Sequence, residues 1–344
     1  MSVPGLPVIC VYGAGSVGCL IGGLVSRAAD VVLIGREAIG AEIAAHGLHL
    51  TSWRGEDLRL SPHEIRYSLT GVAALRADLV LVTVKSGATE EVGRELASVL
   101  RPEVPVISFQ NGMRNTTILR GLLPGQTVLA GMVPFNVVHR GEGGFHRASE
   151  GELMVEDDTR ILPFLDAFEV SGLPLRRRRD IEAVQWAKLL FNLNNAINAL
   201  SGLPLKEELG QRDYRRCLAL LQREALRALD AAHLRPARLT LLPARWLPWV
   251  LEAPDGIFGL LASRMLAIDP VALSSMADDL RAGRRTEIDE INGEVVRLAE
   301  SSGARAAAKA RIIALTRAVE GGDRRSWGGA ELLAELLGSR LALS

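Results

Sequence analysis

Val8-Ile9-Cys10-Val11-Tyr12-Gly13-Ala14-Gly15-Ser16-Val17-Gly18 decides the fold of the first half of the chain. An apolar run ends directly in glycine, the pattern of a buried parallel strand. An apolar helix is expected to follow from about Ser16 to Ala28, and Val31–Ile34 is a second buried strand. Strand, glycine turn, helix and strand make a βαβ unit. G-x-G-x-x-G at its first turn is the signature of dinucleotide binding. The glycines act separately. Gly13 permits the tight turn, Gly15 admits the pyrophosphate close to the backbone, and Gly18 lets helix and strand pack closely. Ala14, Ser16 and Val17 complete the turn. The amino terminus of the helix offers free N–H groups and a favourable dipole to phosphate.

The end of the second strand selects the cofactor. Folds that bind NAD place Asp or Glu there to accept from the ribose 2′-hydroxyl. This strand ends Ile34-Gly35-Arg36. An acid would repel a 2′-phosphate, whereas a guanidinium pairs with it. Arg36 therefore favours NADP(H) over NAD(H), with Glu37 as an opposing charge.

Outward from this unit, strands and helices keep alternating. Helix 38–46 precedes weaker strands near 49–53 and 58–60. Asp78–Val84 is the clearest strand, followed by helix 88–100 and strand 105–109. Short strands continue through 128–138 and 153–155. Such alternation means an α/β domain with a mostly parallel sheet. After Arg179 the periodicity becomes helical, over 182–200, 211–232, 274–301 and 306–320. The expected fold is α/β: an amino-terminal Rossmann-type dinucleotide-binding domain, 1–179, followed by an all-helical carboxy-terminal domain, 180–344. The four arginines Arg176–Arg179 read as a solvated linker face at the junction.

The chain has 344 residues with 40 basic and 40 acidic side chains, and aromatic residues make up 4% of it. Zero formal charge and few aromatics exclude a nucleic-acid surface. The three cysteines match neither a disulfide framework nor a metal site, so a reducing cytoplasm is the expected compartment. The six histidines are scattered, and no metal is expected. Residues 1–7 do not read as a signal peptide. The apolar stretch 241–266 carries charges and prolines that a bilayer helix would not tolerate. It reads either as core or as a homodimer contact.

In the second half, Gln185-Trp186-Ala187-Lys188-Leu189-Leu190-Phe191-Asn192-Leu193-Asn194-Asn195 is good apolar helix with polar insertions. Lys188, Asn192 and Asn195 fall at i, i+4 and i+7, on one helix face. Asparagine is a poor helix-interior residue, so an asparagine-capped or frayed helix is the competing explanation. Ser274-Ser275-Met276 and Thr286-Glu287-Ile288-Asp289 form a second polar cluster, readable also as a solvated helix. In the first half, Gln110-Asn111-Gly112 closes a strand of the parallel sheet, where ligands bind, although a plain Asn-Gly turn accounts for it equally.

Together these residues resemble the ketopantoate reductase (2-dehydropantoate 2-reductase) family over nearly the whole chain. The resemblance rests on Gly13–Gly18, Val84-Lys85, Gln110-Asn111-Gly112-Met113, Lys188 with Asn192, and Ser274-Ser275-Met276 followed by Thr286-Glu287-Ile288-Asp289. It implies reduction of the 2-keto group of ketopantoate to D-pantoate with NADPH, on the route to pantothenate. It further implies that Lys188 is the general acid on the carbonyl and that Glu287 orients the substrate. Ser275 and Asn192 would bind polar groups of the keto acid. Asn111 and Lys85 would sit where nicotinamide ribose and substrate meet, and Arg36 would hold the 2′-phosphate. The family has a second asparagine four residues after the first. That position is Ala196 here, and Asn195 has the best helical phase to replace it.

The chemistry agrees. Hydride arriving at a carbonyl carbon leaves negative charge on oxygen, which must be stabilised and protonated. A buried lysine can do both; arginine holds its proton. The chain has four lysines, Lys85, Lys188, Lys206 and Lys309, against thirty-six arginines. Lysine at 85 and 188 is therefore informative. Two rival readings remain: a related reductase of another 2-keto acid, and a regulator that binds NADPH without chemistry. The second has no need of Lys188, Ser275 and Glu287 together.

Overall fold

A computed structural model describes residues 5–261, 272–323 and 326–341. The chain divides into two compact units, Met1–Ile181 and Glu182–Ser344.

The first unit opens with β1 (Val8–Tyr12), α1 (Ser16–Val25), β2 (Asp30–Ile34), α2 (Glu37–His46), β3 (Leu48–Ser52) and β4 (Asp57–Leu60). It continues with β5 (Arg66–Ser68), β6 (Leu79–Val82), α3 (Thr89–Val99), β7 (Val106–Ser108), α4 (Asn115–Leu122) and β8 (Val128–Met132). It ends with β9 (Val137–Gly141), β10 (Gly144–Arg147), β11 (Leu153–Glu156), α5 (Leu165–Val170) and β12 (Leu175–Arg178).

Eight strands form one sheet in the order β12-β11-β8-β7-β6-β1-β2-β5. From β5 to β8 every neighbouring pair is parallel. β11 joins β8 antiparallel, and β12 runs parallel to β11. β1, β2 and β6 are apolar because helices or sheet cover both faces; Ile9, Cys10, Val11 and Leu79–Val82 are fully buried. From β1 the sheet grows one way through β2 and β5 and the other way through β6, β7 and β8. The loops after β1, β2, β6 and β7 therefore gather at one end, at the reversal point where such sheets bind ligands.

The weaker strands near 49–53 and 58–60 do not extend this sheet. β3 and β4 join β10 and β9 in a second sheet, ordered β4-β3-β10-β9. β3 is buried at alternate residues, the pattern of a sheet packed on one face. α1 lies between the two sheets. A Cβ on Gly22 would come within 2.4 Å of Leu33 in β2, and one on Gly23 within 2.6 Å of Leu50 in β3.

The arginine run is not a linker. Arg176, Arg177 and Arg178 lie in β12, the edge strand of the main sheet, beside β11. Arg176 pairs with Glu152, Arg177 and Arg179 with Asp157, and Arg178 with Asp180. Charge on an edge strand opposes pairing with another chain, so a strand can carry three arginines there, with Arg179 just beyond its end.

The second unit is helical. α6 (Ile181–Asn192), α7 (Asn194–Ser201), α8 (Leu205–Gly210) and α9 (Arg212–Ala231) lead to α10 (Leu247–Glu252) and α11 (Asp255–Leu261). α12 (Ser275–Arg281), α13 (Ile288–Ser302), α14 (Ala307–Glu320) and α15 (Gly329–Leu341) follow. Two expected helices are broken. Helix 182–200 is interrupted at Leu193, amid four asparagines in seven residues. Helix 274–301 stops at Arg281, where Gly283 adopts φ +63 and Arg284 N–H bonds Asp279 O at 2.8 Å. This is a glycine C-cap, and it leaves 282–287 outside any helix. Of the apolar stretch 241–266, residues 262–266 lie outside the described residues. No helix among the described residues is long and apolar enough to cross a membrane.

Candidate active site

The glycine turn is built as its spacing demands. Gly13 has φ +121, and a Cβ there would lie 2.5 Å from Val84 N. A Cβ on Gly18 would meet Gly13 O at 2.1 Å, so the first turn of α1 presses on the loop before it. Gly15 differs: a Cβ there would meet nothing within 4 Å. Its glycine answers no demand from the protein and leaves an open cradle at the start of α1, as a pyrophosphate requires. Ala14 and Gly18 are buried, Ser16 and Val17 half-buried. Thr83, which the sequence reading passed over, donates from Oγ1 to Gly13 O at 2.8 Å and ties the turn to the end of β6.

Arg36 stands exposed as the N-cap of α2. Tyr67 from β5 donates its hydroxyl to Arg36 O at 2.8 Å, and Gly35 N–H bonds Ser68 O at 3.1 Å. A side-chain and a backbone contact from the edge strand thus place Arg36. The glycine turn and the end of β2 fit a nicotinamide dinucleotide.

Lys85 and Asn111 flank a polar network that sequence reasoning missed. Ser86 Oγ donates to Asn111 O at 3.1 Å. Asn115 Nδ2 donates to Asn111 O at 2.6 Å and to Ser86 Oγ at 3.0 Å. Thr89 donates to Asn115 Oδ1 at 2.8 Å and accepts from Gln110 Nε2 at 2.7 Å. Gln110 also donates to Val84 O and accepts from Ser108. Every side-chain donor named in this network has an acceptor, the condition under which a buried network is rigid. It locks the loops after β6 and β7 together and so fixes where Lys85 and Asn111 begin. Asn111 is therefore part of a pinned loop rather than a simple Asn-Gly turn.

In the helical unit, Lys188 lies partly buried on α6. Burial lowers its ammonium pKa from 10.5 to about 8, and the nearby Glu287 carboxylate partly opposes that shift. Glu287 is the N-cap residue of α13, outside the helix where the periodicity had placed it. Its neighbours anchor it. Thr286 N and Oγ1 both donate to Glu320 Oε1 at 2.7 Å, and Asp289 pairs with Arg317 at 2.6 Å. Thr286 and Asp289 thus clamp the α13 start onto α14.

Asn192 ends α6, and Asn195 lies in the first turn of α7. Asn195 Nδ2 makes a long hydrogen bond, 3.4 Å, to Ser275 Oγ. Ser275, exposed, is the first residue of α12, whose N-cap Ser274 accepts from Ala277 N. Ala196 is 0% exposed, facing core rather than the side that carries Lys188 and Asn195. The structure thus joins Lys188 to Glu287 electrostatically and Asn195 to Ser275 by contact, with Asn192 between Lys188 and Asn195 along the chain. The three cysteines are free and buried, and burial pushes each thiol up to about 12, far from nucleophilic use.

Comparison with known proteins gives a consistent result. The family model described as ketopantoate reductase PanE/ApbA matches residues 9–159, and the one described as ketopantoate reductase PanE/ApbA C terminal matches 180–320. A 2-dehydropantoate 2-reductase of Halobacterium salinarum is 27% identical over 305 residues, covering 84% of this chain and 90% of the relative. One of Archaeoglobus fulgidus is 27% identical over 327 residues, covering 91% and 97%. The crystal structure of a PanE/ApbA family ketopantoate reductase from Ralstonia eutropha JMP134 superposes with TM-score 0.76 at 29% identity, covering 91% of this chain and 98% of the other. D-mandelate dehydrogenase with NADH and anilino(oxo)acetate superposes with TM-score 0.74 at 19% identity over 91% and 98%, a likeness of fold alone.

Proposed function

This chain belongs to the ketopantoate reductase family of oxidoreductases, and on that premise we propose that it reduces the 2-keto group of 2-dehydropantoate to D-pantoate with NADPH. Lys188 carries the reading: a partly buried ammonium titrating at about 8, beside the Glu287 carboxylate, is poised to give up a proton near neutral pH. NADPH, when bound, supplies the hydride to the keto carbon. The carbonyl electron pair then moves onto oxygen, where the Lys188 ammonium stabilises the charge and delivers its proton, leaving a neutral amine that solvent reprotonates. Glu287 orients the substrate and helps keep the ammonium charged until that step. Asn192, Asn195 and Ser275 hold polar groups of the keto acid. Gly13–Gly18 cradle the pyrophosphate, Arg36 takes the 2′-phosphate, and Lys85 and Asn111 approach the nicotinamide ribose.

A second reading, reduction of a different 2-keto acid, is favoured by Ala196, which presents a buried methyl group where the family resemblance expects an amide. Both are tested by following NADPH oxidation with 2-dehydropantoate beside a panel of 2-keto acids, with NADH in parallel. Selective turnover of 2-dehydropantoate with NADPH supports the first reading. Turnover of another keto acid alone removes the substrate name, and failure with all of them removes the reaction. The exposed Leu241, Trp246, Trp249 and Leu260 support a homodimer contact, which light scattering of the purified chain reads directly. The free cysteines suit a reducing cytoplasm.

A further inference from the structure

Behind the Asn195–Ser275 contact lies a polar cluster that the proposed chemistry does not use. Asn198, one helical turn after Asn195 on α7, is 0% exposed. Its Oδ1 accepts from Ser274 N at 2.9 Å, and its Nδ2 donates to Leu203 O at 2.9 Å and to Glu208 Oε2 at 2.6 Å. Ser274 in turn donates from Oγ to Asn195 O at 3.1 Å. The residue before Ser275 is therefore tied to α7 at two points, one of them through Asn198.

Glu208, on α8, is also 0% exposed, and its Oε1 has no hydrogen-bond partner. Asn194 Oδ1 is buried without a partner as well, and the Asn194 side chain interacts with the same carboxyl. Two buried acceptor oxygens without a donor are costly. A proton on Glu208 lowers that cost by removing the buried charge, while the Asn198 amide bond to Oε2 is kept.

We propose that Asn198 and a protonated Glu208 are positioning residues that hold Ser275 against Asn195, so that one buried proton maintains the substrate-binding end of the helical unit. The proposal rests on the reading that Asn195 and Ser275 bind the keto acid. Burial raises the Glu208 acid from 4.5 to about 8, with Asn198 and Asn194 opposing, so the proton stays on at neutral pH. From α9, Tyr214 and Cys217 feel the Glu208 charge; burial raises both, and they stay neutral over the same range. On α8 itself Lys206 and Glu207 are exposed.

The test uses the full chain and three variants, Asn198→Ala, Glu208→Ala and Glu208→Gln, with KM for 2-dehydropantoate and Kd for NADPH measured at pH 7. Loss of one buried hydrogen bond should raise KM about tenfold in Asn198→Ala and Glu208→Ala, with NADPH binding unchanged. Glu208→Gln, which keeps a donor and an acceptor at the same places, should stay within about twofold of wild type. A Glu208→Gln KM as high as that of Glu208→Ala, or an unchanged KM in Asn198→Ala, overturns the proposal.

A second measurement needs no substrate. The folded chain binds the Glu208 proton more tightly than the unfolded chain, so its stabilising effect is full below 4.5 and is lost as pH rises through about 8. Glu208→Gln does not titrate and should gain melting temperature relative to wild type between pH 5 and 8, then hold a constant difference. A difference that does not change with pH overturns the proton. If wild type oxidises NADPH with no 2-keto acid, the functional reading falls and the substrate-positioning claim with it, while the melting comparison still decides whether the proton is there.

Discussion

The two candidate site regions of this molecule are built from different materials. The glycine turn at 13–18 presents backbone and empty space, and its requirement is that side chains be absent. The Lys188–Glu287 and Asn195–Ser275 region presents side chains from α6, α7 and α12 and from the α13 N-cap, and its requirement is that each group have the right proton and neighbour. The first region should fail through shape and the second through protonation.

The largest expected effect is in the second region. Lys188→Arg keeps the charge but holds its proton, and turnover should fall by about 10²- to 10⁴-fold while NADPH still binds. Near-wild-type turnover in that variant would remove the proton-donor role. A linked outcome concerns pH. A general acid must be charged to act, so wild-type turnover should be level below about 8 and fall as pH rises through it. A profile flat to well above 8 would contradict the assignment.

Next comes a pair that separates two glycines of one motif. Gly18→Ala drives a Cβ into Gly13 O and should cost about 3 kcal/mol in chemical denaturation. Gly15→Ala meets open space, so its stability should change by less than about 0.5 kcal/mol. Its NADPH affinity should nevertheless drop markedly, because the methyl occupies the pyrophosphate cradle. Equal destabilisation by both changes would show that the cradle is structural.

Arg36→Ala should then lower the preference for NADPH over NADH by about ten- to a hundredfold, the range of a charge-assisted hydrogen bond. An unchanged ratio of kcat/KM values would return the 2′-phosphate to some other group. The smallest effect separates Asn195 from Ala196. Asn195→Ala should raise KM for the keto acid roughly three- to tenfold. Ala196→Asn buries an amide in the core and should cost about 1–3 kcal/mol without lowering KM. An improved KM in Ala196→Asn would reverse the choice between the two positions.

The regions also differ in how far they could be read from residues alone. Gly13–Gly18 and the ends of β1 and β2 were legible because backbone geometry is local: spacing, strand pattern and a glycine suffice. Gly283 is equally local: the helical periodicity runs through 274–301, and the glycine C-cap ends the helix inside it. The network of Ser86, Thr89, Gln110 and Asn115 was not legible. Its members lie up to 29 residues apart, and nothing in any one of them marks a shared cavity. Arg176–Arg179 misled for a related reason, since an edge strand and a solvated linker accept the same charges.

Sequence alone determined the βαβ unit, the alternation that makes the parallel sheet, the change to helices near residue 180 and the candidates Lys188, Asn195, Ser275 and Glu287. The fold elements and the shared helix face of Lys188 and Asn195 follow from periodicity and spacing carried by neighbours in the chain, whereas Ser275 and Glu287 are implied by the family resemblance. Tertiary structure decided the second sheet that covers α1, the buried methyl at Ala196, the clamp of Thr286 and Asp289 on α14 and the pairing of Asn198 with Glu208. It also decided the shifted proton affinities of Lys188 and Glu208. Burial and partner identity depend on which distant segments arrive, and that is settled only when the chain packs.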